Sequence, residues 1–274
     1  MTEDLPLGII AGGGQFPLLC ARAARKKGYK VFAVGHLGET DPSMEQEVNE
    51  IVWIHLGQLG RLITSLKKAG VSKTIFAGTI TKKRIFRDVR PDMRALALWG
   101  QLRGRLDDEI LRAIAKELES EGIHVLPSTA LLDELAAPVG ILTKKTPTRK
   151  QREDMEFGWH IAKTVGSLDI GQCIVVKDKV ILAVEAMEGT DETIVRGGRL
   201  GGPGAVVIKV FKPHQDPRFD LPSVGITTIE RMEEVKASAL LIEAGRTLFF
   251  DRHEAISRAD SAGIAVVAKE GTLA

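Results

Sequence analysis

Short apolar runs alternate with helix-periodic stretches through the first half of the chain. Residues 7–11, 30–34, 51–56 and 74–77 are compact, rich in Val, Ile or Phe, and bounded by glycine or charge. That is the pattern of strands buried on both faces of a parallel sheet. Between them, residues 16–27 and 58–69 carry apolar side chains at helical spacing. Gly28 and Gly70 follow, where a helix end favours a left-handed residue. Residues 107–120 predict another helix, with Ile110, Leu111, Ile114 and Leu118 on one face, and residues 123–126 predict the next strand. Such alternation implies right-handed crossovers and an open doubly wound sheet.

Residues 127–150 break this rhythm with three prolines, a short helical piece at 131–136 and a basic run at 144–150. Beyond them the pattern predicts a helix over 149–165. Two β runs, 173–176 and 180–186, then flank the turn Lys177-Asp178-Lys179, as in a hairpin. Further strands are expected at 206–211, 239–242, 248–250 and 264–268, with helices at 228–236 and 252–262. The expectation is an α/β protein of two domains. A Rossmann-like parallel-sheet domain over 1–135 would bind nucleotide or phosphate, and a mixed α/β catalytic domain would span 136–274.

Composition narrows the class. A chain of 274 residues with 44% hydrophobic and 27% charged residues can bury a real core. Lys plus Arg number 38 against 36 Asp plus Glu, so the net charge is only +2. With aromatic residues at 5%, a nucleic-acid partner is not expected. Two cysteines, Cys20 and Cys173, are too few for a disulfide framework or thiolate zinc site and suit a reducing compartment. The N-terminus lacks the pattern of a secretory signal, and no uncharged apolar run reaches about 18 residues. A cytoplasmic location is expected.

Five segments carry candidate chemistry. Gly12, Gly13, Gly14 and Gln15 follow the first strand and open a helix, a place where phosphates meet free amides and a positive dipole end. Pro17 stands where a dinucleotide fingerprint would have its third glycine, and the P-loop Lys-Ser/Thr pair is missing. After the fourth strand, Thr79 and Lys82 could face that loop, with Arg84, Arg87, Arg90 and Arg94 beyond them. Asp107 and Asp108 open a helix, where carboxylates ordinarily serve capping. Residues 185–193 (EAMEGTDET) lead into glycines 197, 198, 201, 202 and 204, which read equally as a binding loop or as a long flexible connection. Finally, residues 212–225 (KPHQDPRFDLPSVG) combine three prolines with Lys212, Gln215, Asp216, Arg218 and Asp220, a stiff scaffold for polar groups. The six histidines form no pair of zinc-ligand spacing, and no nucleophile elbow is present.

Taken in order, residues 10–17 (IAGGGQFP), 76–82 (FAGTITK), 107–115 (DDEILRAIA), 184–193 (VEAMEGTDET) and 212–225 resemble the LpxI-type UDP-2,3-diacylglucosamine pyrophosphatases over nearly the whole chain. The resemblance implies a magnesium-dependent hydrolase of lipid A biosynthesis. Its substrate would be UDP-2,3-diacylglucosamine and its products UMP and 2,3-diacylglucosamine 1-phosphate (lipid X), with water attacking the sugar-side phosphorus. It also implies two α/β domains with the lipid product between them, and a homodimer. On this likeness Asp220 is expected to be the essential carboxylate, as metal ligand or base. Asp216 and Asp191 would join it on Mg2+. Gly12, Gly13, Gly14, Gln15, Thr79, Lys82, Gly189, Thr190, Lys212, Gln215 and Arg218 would hold substrate. Lys144, Lys145, Arg149 and Lys150 could touch the inner membrane peripherally or serve as a polar linker. Two other readings stay open: a nucleotide-sugar or lipid-binding sensor without catalysis, and a nicotinamide-dependent oxidoreductase with Glu39 near the ribose.

Overall fold

The computed structural model describes residues 6–80, 89–100, 107–213, 216, 218–219 and 221–271, excepting the side chains of residues 107, 108, 128, 129 and 133. The chain divides into two compact units. One comprises Met1–Asp133 with Asp216–Phe219, the other Glu134–Gln215 with Asp220–Ala274.

In the first unit five parallel strands, β1 (Leu7–Ala11), β2 (Val31–His36), β3 (Glu50–Ile54), β4 (Lys73–Ala77) and β5 (His124–Leu126), lie in the order β3-β2-β1-β4-β5. Every residue of β1 and β2 is buried, which explains why they read as unbroken apolar runs. The described helices are α1 (Phe16–Lys26), α2 (Met44–Glu47), α3 (Leu59–Lys68), α4 (Met93–Trp99) and α5 (Asp107–Ser120). Ile10, Val34 and Ile54 share a core with Leu62, Ile63 and Leu66 of α3 and with Ala115 and Leu118 of α5. Helix α1 buries Cys20, Ala21 and Ala24, small side chains that let it lie close to its neighbours. Because β2 and β3 extend to one side of β1 and β4 and β5 to the other, strand order reverses at β1/β4. Ligands of open α/β sheets bind at the carboxyl ends of such a pair.

The second unit is a six-stranded mixed sheet of β6 (Gly140–Ile141), β7 (Cys173–Lys177), β8 (Val180–Val184), β9 (Val206–Lys209), β11 (Ala239–Ala244) and β13 (Ala265–Glu270), ordered β6-β13-β11-β9-β7-β8. Strands β9, β11 and β13 run parallel; β6, β7 and β8 run antiparallel to the strands beside them. A separate parallel pair joins β10 (Ser223–Val224) to β12 (Leu248–Phe249). Alternate strand residues serve opposite faces. Ile174, Val176, Ile208 and Leu241 pack with Met155, Trp159 and Ala162 of α6 (Arg149–Ser167). Val175, Val207, Leu240 and Ile242 pack with Ile194 of α7 (Thr190–Gly201), Ile229 and Met232 of α8 (Ile226–Glu234), and Ala255 and Ala259 of α9 (Arg252–Ser261).

The expected hairpin is present. Asp178 and Lys179 both take positive φ, 53° and 58°, and their amides donate to the buried Asp154 carboxylate at 3.1 and 2.7 Å. That carboxylate, 24 and 25 positions upstream, offsets by hydrogen bonding the cost of a backbone conformation that Asn-Gly adopts readily in commoner two-residue turns.

Two expectations need correction. The helical piece at 131–136 is a pair of single 3₁₀ turns, Ser128–Leu131 and Asp133–Leu135. Glycines 197, 198 and 201 form neither a loop nor a flexible connection. They belong to α7, and a Cβ on Gly197 would stand 2.5 Å from Val175 Cβ, while those on Gly198 and Gly201 would strike Val235 and Leu182. Glycine is needed there so that the helix backbone can approach the sheet and α8 closely.

Candidate functional site

At the β1/β4 reversal of the first unit, the two glycine-bearing loops are laced to each other. Gly12 N–H donates to Ala77 O at 2.8 Å, Gly13 N–H to Thr79 O at 2.7 Å, and Thr79 N–H to Gly13 O at 3.1 Å. A Cβ on Gly12 would lie 2.6 Å from Thr79 O. One on Gly78, whose φ is +90°, would lie 2.5 Å from Gly13 O. The glycines are thus required by backbone-to-backbone approach. The amides of Gly12 and Gly13 are already engaged, so the exposed Gly14–Gln15 step at the start of α1 is what this loop offers a phosphate. Thr79 is exposed beside it.

Behind the glycine loop lies a buried polar knot that the sequence reading did not single out. Ala11 O accepts from His36 Nδ1 at 2.9 Å and from the Thr40 hydroxyl at 2.6 Å, and Thr40 Oγ1 accepts from His36 N–H at 2.9 Å. Burial pushes the His36 pKa below its ordinary value, against the opposing pull of Ala11 O and Glu39. The Glu39 carboxylate stands next to Gly13, 3.4 Å from where a Cβ there would be.

The same unit holds Asp216–Phe219. Phe219 is buried and meets Phe76 edge to face at 5.3 Å. Arg218 reaches both oxygens of Asp216, from Nε at 3.0 and 3.1 Å and from Nη2 at 2.8 Å. It also reaches Glu119 from Nη1 at 2.8 Å. Burial raises the Asp216 pKa, but the hydrogen bonds and charge of Arg218 outweigh it and hold the carboxyl below its ordinary value.

In the second unit, Gly189 takes φ +86° and starts α7 without a side-chain cap. Thr190 donates its hydroxyl to the buried Glu185 at 2.9 Å, and Gln172 N–H donates to the other Glu185 oxygen at 3.2 Å. Asp191 is half-buried in the first turn of α7. Burial, then Glu185, then Asp191 push the Cys173 thiol upward in pKa while Lys209 opposes them, so these residues share one electrostatic neighbourhood. Lys212 is ion-paired with Asp169 at 2.6 Å.

Lys82, Gln215 and Asp220 lie outside the described residues, as do the side chains of Asp107 and Asp108. Among the described residues no three His, Cys, Asp or Glu side chains are grouped to hold a metal. The basic run 144–150 makes contacts at the surface of its own unit: Lys144 N–H and Lys145 Nζ reach Asp260 and Gly263, Arg149 pairs with Glu153, and Lys150 with Asp178. Those contacts suit the linker reading.

Comparison with known proteins speaks to both units. The LpxI N-terminal domain matches residues 6–135 and the LpxI C-terminal domain residues 138–267. UDP-2,3-diacylglucosamine pyrophosphatase LpxI of Caulobacter vibrioides is 34% identical over 273 residues, covering 95% of this chain and 96% of that protein. Two solved structures are far less similar. The protein titled gox2253 is 13% identical with a TM-score of 0.35, over 96% of this chain and 76% of that one. An N5-carboxyaminoimidazole synthetase from Staphylococcus aureus is 16% identical with a TM-score of 0.27, over 64% of this chain and 38% of that one. Likenesses this low carry no weight here. With both halves matched in order and the relative aligned end to end, the chain belongs to the LpxI family.

Proposed function

We propose that this protein hydrolyses the diphosphate of UDP-2,3-diacylglucosamine to UMP and lipid X, with water attacking the sugar-side phosphorus. The observation that carries the reading is the 34% identity to a UDP-2,3-diacylglucosamine pyrophosphatase over 95% of the chain. Diphosphate hydrolysis needs neutralised charge, an aligned water and a stabilised leaving group. In this reading Asp220 is the essential carboxylate. The Gly14–Gln15 step with Thr79 and Lys82 holds nucleotide phosphate, and Gly189, Thr190, Lys212, Gln215 and Arg218 hold the rest of the substrate. Because Arg218 and Lys212 each have a carboxylate partner, they would exchange or share that partner when they meet a phosphate.

Magnesium belongs to the proposal through the family resemblance. Mg2+ keeps most of its waters and takes one or two carboxylates beside substrate phosphates. Arg218 engages both oxygens of Asp216, so Asp216 would reach the metal only as Arg218 turns to phosphate. Asp191 has no such partner described, but it belongs to no group of three His, Cys, Asp or Glu side chains among the described residues. A homodimer and peripheral contact with the inner membrane complete the reading. No described helix is long and apolar enough to cross a membrane. Met93, Leu96 and Trp99 stand exposed along α4 and suit an interfacial contact.

The test follows UMP release from the diacyl substrate with magnesium and then with EDTA, in heavy-oxygen water. UMP formation with label in lipid X is the expected result. Label in UMP would reverse the attacked phosphorus, and tight binding with no UMP under either condition would leave a sensor. Unchanged release in EDTA would remove the metal.

A further inference from the structure

The chain leaves the six-stranded sheet after β9 and enters the separate β10/β12 pair at Ser223, and hydrogen bonds fasten it at both places. At the entry, Glu243, in β11 and 1% exposed, accepts through Oε2 from Phe211 N–H at 2.9 Å and from Lys163 Nζ at 2.5 Å. Lys163 also donates to Phe211 O at 2.9 Å. Both backbone groups of Phe211 are therefore held by one ion pair rather than by a neighbouring strand. The Arg246 guanidinium lies over the Phe211 ring at 5.1 Å. At the exit, Lys209 Nζ donates to Ser223 O at 2.7 Å, and Leu248 N–H to Pro222 O at 2.8 Å.

A buried ion pair is a poor means of gaining stability, because desolvation offsets its attraction and apolar replacements often do as well. What charge-assisted hydrogen bonds supply is fixed distance and direction. Here they are aimed at the two backbone positions where a polar segment begins and ends. We propose that Lys163, Glu243 and Lys209 are positioning residues, a clamp that fixes the chain where it leaves β9 at Phe211 and where it enters β10 at Ser223. The catalytic consequence rests on the diphosphatase reading above; the clamp itself does not.

The test compares wild type with Lys209→Met, with the charge-neutral pair Lys163→Met/Glu243→Gln, and with the donor-retaining Lys209→Arg. Amide exchange over residues 211–224 is measured beside the melting temperature, kcat and KM. The expected result is faster exchange confined to that stretch in the two disabled variants, with partial recovery in Lys209→Arg. Since a misplacement of about 1 Å can lower turnover about 100-fold, kcat should fall between tenfold and 100-fold with little change in KM. Unchanged exchange in both folded variants overturns the clamp, whatever the wild type does with substrate. Faster exchange with unaltered kcat in a working enzyme overturns the positioning role. A wild type that releases no UMP sinks the diphosphatase reading alone, and the exchange data still decide on the clamp. If the double variant unfolds, Lys209→Met decides, since it leaves the Lys163–Glu243 pair intact.

Discussion

Arg218 takes Asp216 in a forked grip, Nε to Oδ1 at 3.0 Å and Nη2 to Oδ2 at 2.8 Å, two positions apart in sequence and half-buried. Folding thus keeps Asp216 charged below its ordinary value of 3.8. A lowered folded pKa contributes stability that is complete above about pH 4 and declines as pH falls through the lowered value. Charged hydrogen bonds of this kind contribute about 1.5–3 kcal/mol. Arg218→Ala should lose about that much at pH 7 in urea melts, and the gap to wild type should narrow below about pH 4. A gap independent of pH would show that packing on Phe219, not the carboxylate, is what Arg218 provides.

His36 titrates in the other sense. Its folded pKa is pushed below 6.5, so unfolding takes up a proton once the pH drops under that value. Stability should be complete above pH 6.5 and fall as the pH drops from there through the lowered value. His36→Asn, whose amide stands where Nδ1 does and can still donate to Ala11 O, should flatten that slope in denaturant titrations above and below pH 6.5.

Asp220→Ala should abolish UMP release while the variant still binds UDP-2,3-diacylglucosamine. Calorimetric binding beside the turnover assay checks both halves, and ordinary turnover would remove Asp220 from the mechanism.

Gly198→Ala should destabilise by about 1–3 kcal/mol, the usual range for overpacking, because its Cβ would strike Val235. Denaturant midpoints measure this, and Gly202→Ala provides the contrast: open space but φ +65°. A neutral Gly198→Ala would mean that α7 and α8 can separate freely.

Both thiols should be silent in the folded protein. Burial pushes Cys20 up to about 12, and burial with Glu185 pushes Cys173 up as well. A chromogenic disulfide reagent should report no thiol at pH 8 until denaturant is added, and then two per chain.

The division between sequence and tertiary structure follows from the range over which each signal acts. Hydrophobic period and helix-terminal glycines are local, so the β1–β4 alternation, the hairpin at Asp178-Lys179 and α6 were legible from residues alone. Motifs in order were enough to name the family. What the chain could not reveal is how groups far apart are used. Glycines 197, 198 and 201 look like a loop until Val175, Val235 and Leu182 are set against them. Gly12 and Gly13 look like phosphate donors until the β4 loop takes their amides. Lys163, Lys209 and Glu243 sit in ordinary helix and strand patterns, and their common hold on the ends of the 212–222 segment exists only after the sheet has assembled. Hydrogen bonding is short-ranged and directional, so its partners are assigned by the fold, whereas burial periodicity is written along the chain.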